Sequence, residues 1–340
     1  MEQVNIIGLD LAKMSFQAHG AGADGSVVFR KTLSRGKVLS FLEGQPRCVV
    51  AMEACASAHY WGREISQLGH EVRLIPPIYV KPFVKRQKND AADAEAIAEA
   101  ASRPTMRFVA VKSEEKQALC MTFGTRDLLV RQRTQTINAL RGHLAEFGLV
   151  VPQGTAHIGR LRAAFEEASE TLPETVVEVA TLMVEQVEAL SGRIDVLERH
   201  IRTRAREDED TRRLMTVPGV GVVCAAAVEA FAPPMESFRS GRHFSAWLGL
   251  TPRQHSTGGK AILGRTSKMG QGDIRRVLII GAMTVVRWAT RNGTADPWLA
   301  SMLQRKPRML VAVALANKMA RIIWAISVKK EDYRAPAAVA

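Results

Sequence analysis

Short apolar runs separated by turns open the chain: Val4 to Gly8, leading into Asp10, then Phe16 to His19 and Val27 to Phe29, with a glycine-rich turn over residues 20–25 between the last two. Such runs read as strands, and the three together as a meander. A polar helix is predicted near Gly36 to Leu42, an apolar strand over Cys48 to Met52, a helix near Ala58 to Leu68, and a strand over Val72 to Ile75 closed by Pro76 and Pro77. Strands alternating with helices predict a largely parallel sheet covered on both faces.

From Asp90 the pattern turns helical and alanine-rich through Ala101, and a short strand-like stretch spans Phe108 to Val111. Leucines 119, 128, 129, 140 and 144 then suit one long amphipathic helix over residues 114–147. Residues 157–206 repeat apolar positions at three- and four-residue steps, from Leu161 to Ile201. That spacing fits a helical hairpin or short coiled coil able to mediate self-association, and equally a long helix packed on its own domain. After the charged run Arg202 to Arg213, Pro218-Gly219-Val220-Gly221 leads into a helix over Val222 to Phe231. This resembles a helix-hairpin-helix, whose glycines let backbone N–H groups approach a phosphate; a plain packing turn is the alternative. The expected division is residues 1–147, a helical segment 148–206, a mainly α-helical domain 207–330 and a tail 331–340.

Composition narrows the function. The 340 residues carry 47 Lys and Arg against 34 Asp and Glu, a net charge of +13, which points to a polyanionic partner, above all nucleic acid. Cys48, Cys55, Cys120 and Cys224 show neither a CxxC pair nor zinc-finger spacing and are expected as small core residues in a reducing compartment. No signal peptide is read at the start, and no apolar run is read as approaching a membrane span, so a cytoplasmic, nucleoid-associated protein is expected.

Two-metal phosphoryl chemistry needs several carboxylates converging on one point, and in a parallel sheet that point lies beyond the carboxyl ends of adjacent strands. Asp10 and Glu53 each follow directly on an apolar strand, where an uncompensated charge is costly. Asp90 and Asp93, three apart at a predicted helix start, share one face, although helix capping would also account for them. Lys81, Lys85, Arg86 and Lys88 just before them form a basic approach suited to a phosphate backbone.

These acids, in this order, carry a resemblance. Gly8-Leu9-Asp10-Leu11-Ala12-Lys13, Met52-Glu53-Ala54-Cys55 and Lys88-Asn89-Asp90-Ala91-Ala92-Asp93-Ala94 resemble the signatures of the RuvC-like (RNase H-like), DEDD-type domain of transposases typified by insertion sequence 110. The resemblance implies that Asp10, Glu53, Asp90 and Asp93 bind Mg²⁺ or Mn²⁺.

A second stretch carries its own chemistry. Arg253, Lys260, Arg265, Lys268, Arg275 and Arg276 face one acid, Asp273, in a glycine-rich setting of low hydrophobicity, a composition suited to phosphate contacts. A serine there could simply hydrogen-bond a phosphate. The pattern Gly249-Leu250, Pro252-Arg253, Ser256, Gly258-Gly259-Lys260, Ser267-Lys268 resembles the C-terminal transposase domain of the same family and implies that Ser256 is a nucleophile on DNA. Counting from Pro252 would shift the position to Thr257. The only candidate base nearby is His255.

The resemblance, from residue 4 to about residue 328, implies an insertion-sequence recombinase acting on donor and target DNA through a covalent serine–DNA intermediate. It further implies guidance by a bridge RNA and composite sites in a homodimer or homotetramer. A RuvC-like hydrolytic nuclease such as a junction resolvase, and a non-catalytic nucleic-acid scaffold, are the competing expectations. Cleavage by a Ser256 variant would mark the first, and binding without cleavage the second.

Overall fold

Alternation of apolar residues fixes the first sheet. The computed structural model describes residues 3–85, 90–154, 157–294 and 296–335, without the side chains of residues 90 and 91. Contacts divide the chain into two compact units, Met1–Glu115 and Lys116–Ala340.

In the first unit the elements run β1 (Ile6–Asp10), β2 (Ser15–Ala21), β3 (Val27–Ser34), α1 (Val38–Glu43), β4 (Val49–Glu53), α2 (Ala58–Gln67), β5 (Glu71–Ile75), α3 (Pro77–Val80) and α4 (Asp90–Ser102). The sheet order is β3-β2-β1-β4-β5. β1, β4 and β5 are parallel, while β2 and β3 are antiparallel, so the predicted meander and the predicted parallel sheet are two halves of one mixed sheet. The stretch predicted as a strand near Phe108 contributes only one antiparallel bridge, Val109 to Leu74.

Successive strand residues face opposite sides. Ile7, Leu9, Val50 and Met52 therefore pack with Trp61 and Ile65 of α2, whereas Ile6, Ala51 and Ile75 pack with the alanine-rich α4. Gly8 lies on the α4 side, where a Cβ would sit 2.1 Å from the carbonyl oxygen of Ala94 and 2.7 Å from the nitrogen of Ala98. Only glycine at this position and alanines above it let α4 lie directly on β1. Gly8→Ala must push that helix away, and overpacking of this kind costs about 1–3 kcal/mol. Urea unfolding should show a drop of that size.

A second prediction concerns His59 on α2. Its Nδ1 accepts the backbone N–H of Lys112 at 3.2 Å, which requires the neutral ring. Burial first, then the charges of Lys112 and Arg63, push its pKa down to about 4. Between pH 6.5 and 4 the unfolded chain binds the proton that the folded chain refuses, so stability rises with pH through this window and is complete above it. Each factor of ten in proton affinity is worth about 1.4 kcal/mol, which bounds the effect at about 3 kcal/mol, less for this partly exposed ring. Thermal melts from pH 4 to 7 should steepen this way in the native chain and flatten in His59→Asn.

The second unit is mainly helical: α5 (Glu114–Ala145, starting two residues before the boundary), α6 (Ile158–Ala168), α7 (Glu174–Glu207), α8 (Glu209–Leu214), α9 (Val222–Phe231), α10 (Gly241–Trp247), the hairpin β6 (Pro252–Gln254) and β7 (Leu263–Thr266), α11 (Gly272–Asn292), α12 (Pro297–Arg305) and α13 (Arg308–Lys329). The helices α5 and α7 run antiparallel: Arg126 pairs with Glu198, Arg133 donates to Ser191 Oγ at 3.3 Å, and Leu140 and Leu144 meet α6 and Ala180 of α7 at the far end.

One expectation needs correcting. By length and mean hydropathy (1.6) α13 could cross a membrane, although no such run was expected from the sequence. Here Val311, Leu315, Met319 and Ile323 are buried in the core of the helical unit, and Lys318 and Arg321 sit among them along the helix. A helix surrounded by other helices must be apolar on most sides, and that imitates a span.

The turn between α8 and α9 also differs from its simplest reading. Gly219, at φ +86°, is pressed against α11, where a Cβ would lie 2.9 Å from Val285 and 3.1 Å from the Gly281 carbonyl. Its close approach is to protein. All four cysteines are free thiols, but only Cys224 is buried and Cys55 is exposed, so the expectation of core residues holds in part.

Candidate active site

The parallel pairing of β1 and β4 aligns Leu9 with Met52, which brings Asp10 and Glu53 to neighbouring positions at the carboxyl ends of adjacent strands. Both fall on the α4 side by alternation. Asp10, Glu53 and Asp93 line a single cleft of about 480 Å³, floored by Val80, Val84 and Ile97 and bordered by Lys81. The backbone of Asp90 begins α4 one turn before Asp93. Its side chain, with Arg86 and Lys88, lies outside the described residues.

The electrostatics agree with the shared cleft. Burial first, then the negative charge of Asp93, push the Glu53 carboxyl above the ordinary carboxylate range. The Cys55 thiol is raised by burial and by the charges of Glu53 and Asp10. A carboxyl raised by burial and by a neighbouring acid is the kind of group whose desolvation and repulsion a cation would relieve. The donors are hard carboxylate oxygens, the type that Mg²⁺ and Mn²⁺ prefer, and so fit such an ion. Among the described residues no three His, Cys, Asp or Glu side chains converge closely enough to hold a metal as they stand.

Of the predicted basic approach, Lys81 borders the cleft and Lys85 is engaged by Glu95, which also binds Arg30 at 3.0 Å. Sequence reading passes over Glu95, because neither a strand end nor the spacing of Asp90 and Asp93 marks it. Lys85 is largely exposed, and exposed pairs are worth little, so a phosphate can compete for it.

Ser256 sits in the exposed arm formed by β6 and β7. Fourteen consecutive residues, 252–265, are exposed. His255 N–H donates to the Ile262 carbonyl at 2.9 Å, Ile262 N–H donates to Ser256 Oγ at 3.3 Å, and Thr257 bridges Lys260 across the tip. Ser256 Oγ thus accepts a hydrogen bond from within its own arm. The base of the arm is stitched to the end of α10: Ser267 N–H donates to Thr251, Lys268 N–H to Gly249 and Gln271 N–H to Trp247.

The predicted cations of this segment divide into two groups. Lys260, Arg265 and Lys268 are exposed, and Arg253 makes only long contacts, 3.3 and 3.4 Å, to the Ser267 carbonyl. Arg275 instead clamps the carbonyls of Leu248 (2.8 Å) and Met269 (3.1 Å), and Arg276 pairs with Asp127. Arg275 is thus bound to the fold, whereas Arg276 makes a surface pair and stays half exposed, a difference that charge counting could not show.

Comparison with known proteins agrees with this geometry. Residues 7–148 match a profile of DEDD transposases of the IS110 type, described as "Transposase", and residues 211–297 match "Transposase IS116/IS110/IS902 family". A protein of Pseudomonas aeruginosa named a probable family 20 transposase is 48% identical over 96% of this chain and 98% of its own length. The transposase for insertion sequence element IS1328 of Yersinia enterocolitica is 42% identical over 96% of this chain and 98% of its own length. That for IS1111A of Coxiella burnetii is 36% identical over 98% and 92%. Acid-lined cleft, mixed sheet, helical C-terminal part and near full-length similarity agree: the chain belongs to the IS116/IS110/IS902 family of transposases.

Proposed function

We propose that this chain is a DNA recombinase of an insertion sequence, with a RuvC-like N-terminal unit, in which Asp10, Glu53, Asp90 and Asp93 hold divalent cations and Ser256 attacks the scissile phosphate. The observation that carries the reading is the gathering of Asp10, Glu53 and Asp93, far apart in sequence, in one cleft. When bound, Mg²⁺ or Mn²⁺ would supply charge stabilisation at the phosphate oxygens.

The remaining steps belong to the protein. Ser256 Oγ loses its proton and bonds to phosphorus, and the bond from phosphorus to one deoxyribose oxygen breaks. That oxygen leaves as a hydroxyl after taking up a proton. A hydroxyl of another strand then attacks the serine phosphodiester, restoring Ser256 and joining the new strand. One phosphodiester is exchanged for another at each step, so no nucleotide hydrolysis is needed. Among the described residues the one hydrogen bond at Ser256 Oγ is the one it accepts from Ile262 N–H, and His255 beside it is the candidate to take its proton.

Lys81, Lys85, Arg253, Lys260, Arg265 and Lys268 contact the backbone in this reading, with Arg86 and Lys88 added from the sequence. Selection of sites falls to a bridge RNA paired with donor and target DNA, the protein reading backbone and shape. The active form is a homodimer or homotetramer in the cytoplasm, at the nucleoid, with sites shared between copies. Sequencing the nucleic acid that copurifies with the chain tests the RNA: a discrete species encoded beside the gene is expected, and random fragments would contradict it.

A further inference from the structure

The C-terminal unit has a basic hollow that none of the assignments above uses. Gly241, the first residue of α10, packs on the backbone of α13 at Arg321, where a Cβ would lie 3.0 Å from both the Cα and the carbonyl oxygen. This approach brings Arg242, one residue on, to the same hollow as Arg321. Two guanidinium groups are thereby set around one cavity of about 750 Å³ with no acid in its lining. Neither is held by an ion pair among the described residues, whereas neighbouring Lys318 is neutralised by Asp296 at 3.1 Å and lies over the Trp298 ring.

A second cavity lies beside Arg242. Again without an acid, it runs along Arg253, His255 and Ser267 at the base of the Ser256 arm. Arg242 is shared by the two linings, so Arg321, Arg242 and Arg253 are set along two neighbouring cavities, a cationic track that reaches the base of the arm. Like charges gathered in a concave site repel one another, and an anion that spans them removes the cost. A chain of phosphates suits a track better than one compact anion does, because the cations lie in succession.

We propose that this track holds the DNA strand flanking the phosphate attacked by Ser256, with Arg242 and Arg321 each neutralising one backbone phosphate. The inference rests on the recombinase reading, since a strand joined to Ser256 must leave the arm along some surface, and this one adjoins it with the right charge. Each lost phosphate contact lowers the salt slope of single-strand binding by about 0.7, so losing two flattens it by about 1.4.

The test uses the full chain and a fluorescent single-stranded DNA, with anisotropy read over a range of NaCl concentrations. Arg242→Gln with Arg321→Gln should weaken binding and flatten the slope by that amount. Arg242→Lys with Arg321→Lys should keep the native slope, and its melting temperature beside that of the glutamine pair separates lost charge from lost fold. An unchanged slope in the glutamine pair overturns the proposal, as does a loss confined to RNA of the same sequence, which would mark a guide site instead. Covalent capture of DNA by the native chain is read in parallel. If Ser256→Ala keeps the adduct, the recombinase reading fails on its own account, whatever the slope shows.

Discussion

If the cleft holds the cations as proposed, Asp10→Asn, Glu53→Gln and Asp93→Asn are each expected to lower DNA cleavage by about a hundred- to a thousand-fold while leaving the chain folded, because each would remove several kcal/mol of charge stabilisation at the phosphate. Glu53 carries a further signature. Its carboxyl is raised by burial and by Asp93, so at neutral pH its charge opposes folding, and that penalty fades as pH falls through the raised pKa. Without divalent ions, Glu53→Gln should therefore melt higher than the native chain. Adding Mg²⁺ should raise the melting temperature of the native chain and leave that of the variant nearly still, since only a bound ion stabilises the folded state. Equal responses to Mg²⁺ would show that the cleft is not where the ion binds.

The second large effect belongs to the arm. Ser256→Ala should abolish the covalent protein–DNA adduct entirely. Stability should barely change, because the side chain is exposed and the hydrogen bond it accepts, from Ile262 N–H, is a long 3.3 Å. Thr257→Ala, one residue nearer the tip, should keep the adduct. The reverse pattern, an adduct lost in Thr257→Ala and kept in Ser256→Ala, would move the nucleophile by one residue. Cleavage without an adduct in either variant would favour a hydrolytic nuclease.

Much of the cleft is legible in the amino-acid sequence. Asp10 and Glu53 each close an apolar run, and a run buried on both sides reads as a strand, so their positions at strand ends follow directly. That the two strands are neighbours does not follow, because pairing is long-range and leaves no mark on either segment alone. Gly8 and the alanines of α4 show composition but not purpose; only the 2.1 Å approach explains why that strand and that helix need small residues. On the C-terminal side the sequence does not tell local surroundings apart. Arg275 and Arg276 look like the other cations of a basic stretch, yet a guanidinium bound to carbonyls and one paired with Asp127 read alike in sequence. Arg242 and Arg321 escape notice for a related reason, being 79 positions apart and brought together only by the packing of α10, at Gly241, on α13.

That acids of the N-terminal cleft and a hydroxyl of the C-terminal arm act on the same phosphate is tested most directly by trapping the reaction on a DNA with a single scissile site and sequencing the DNA-linked peptide by mass spectrometry. One adduct is expected, on Ser256, formed with Mg²⁺ and absent from Asp10→Asn chains. An adduct on any other residue, or undiminished adduct when Asp10 is replaced, would contradict it.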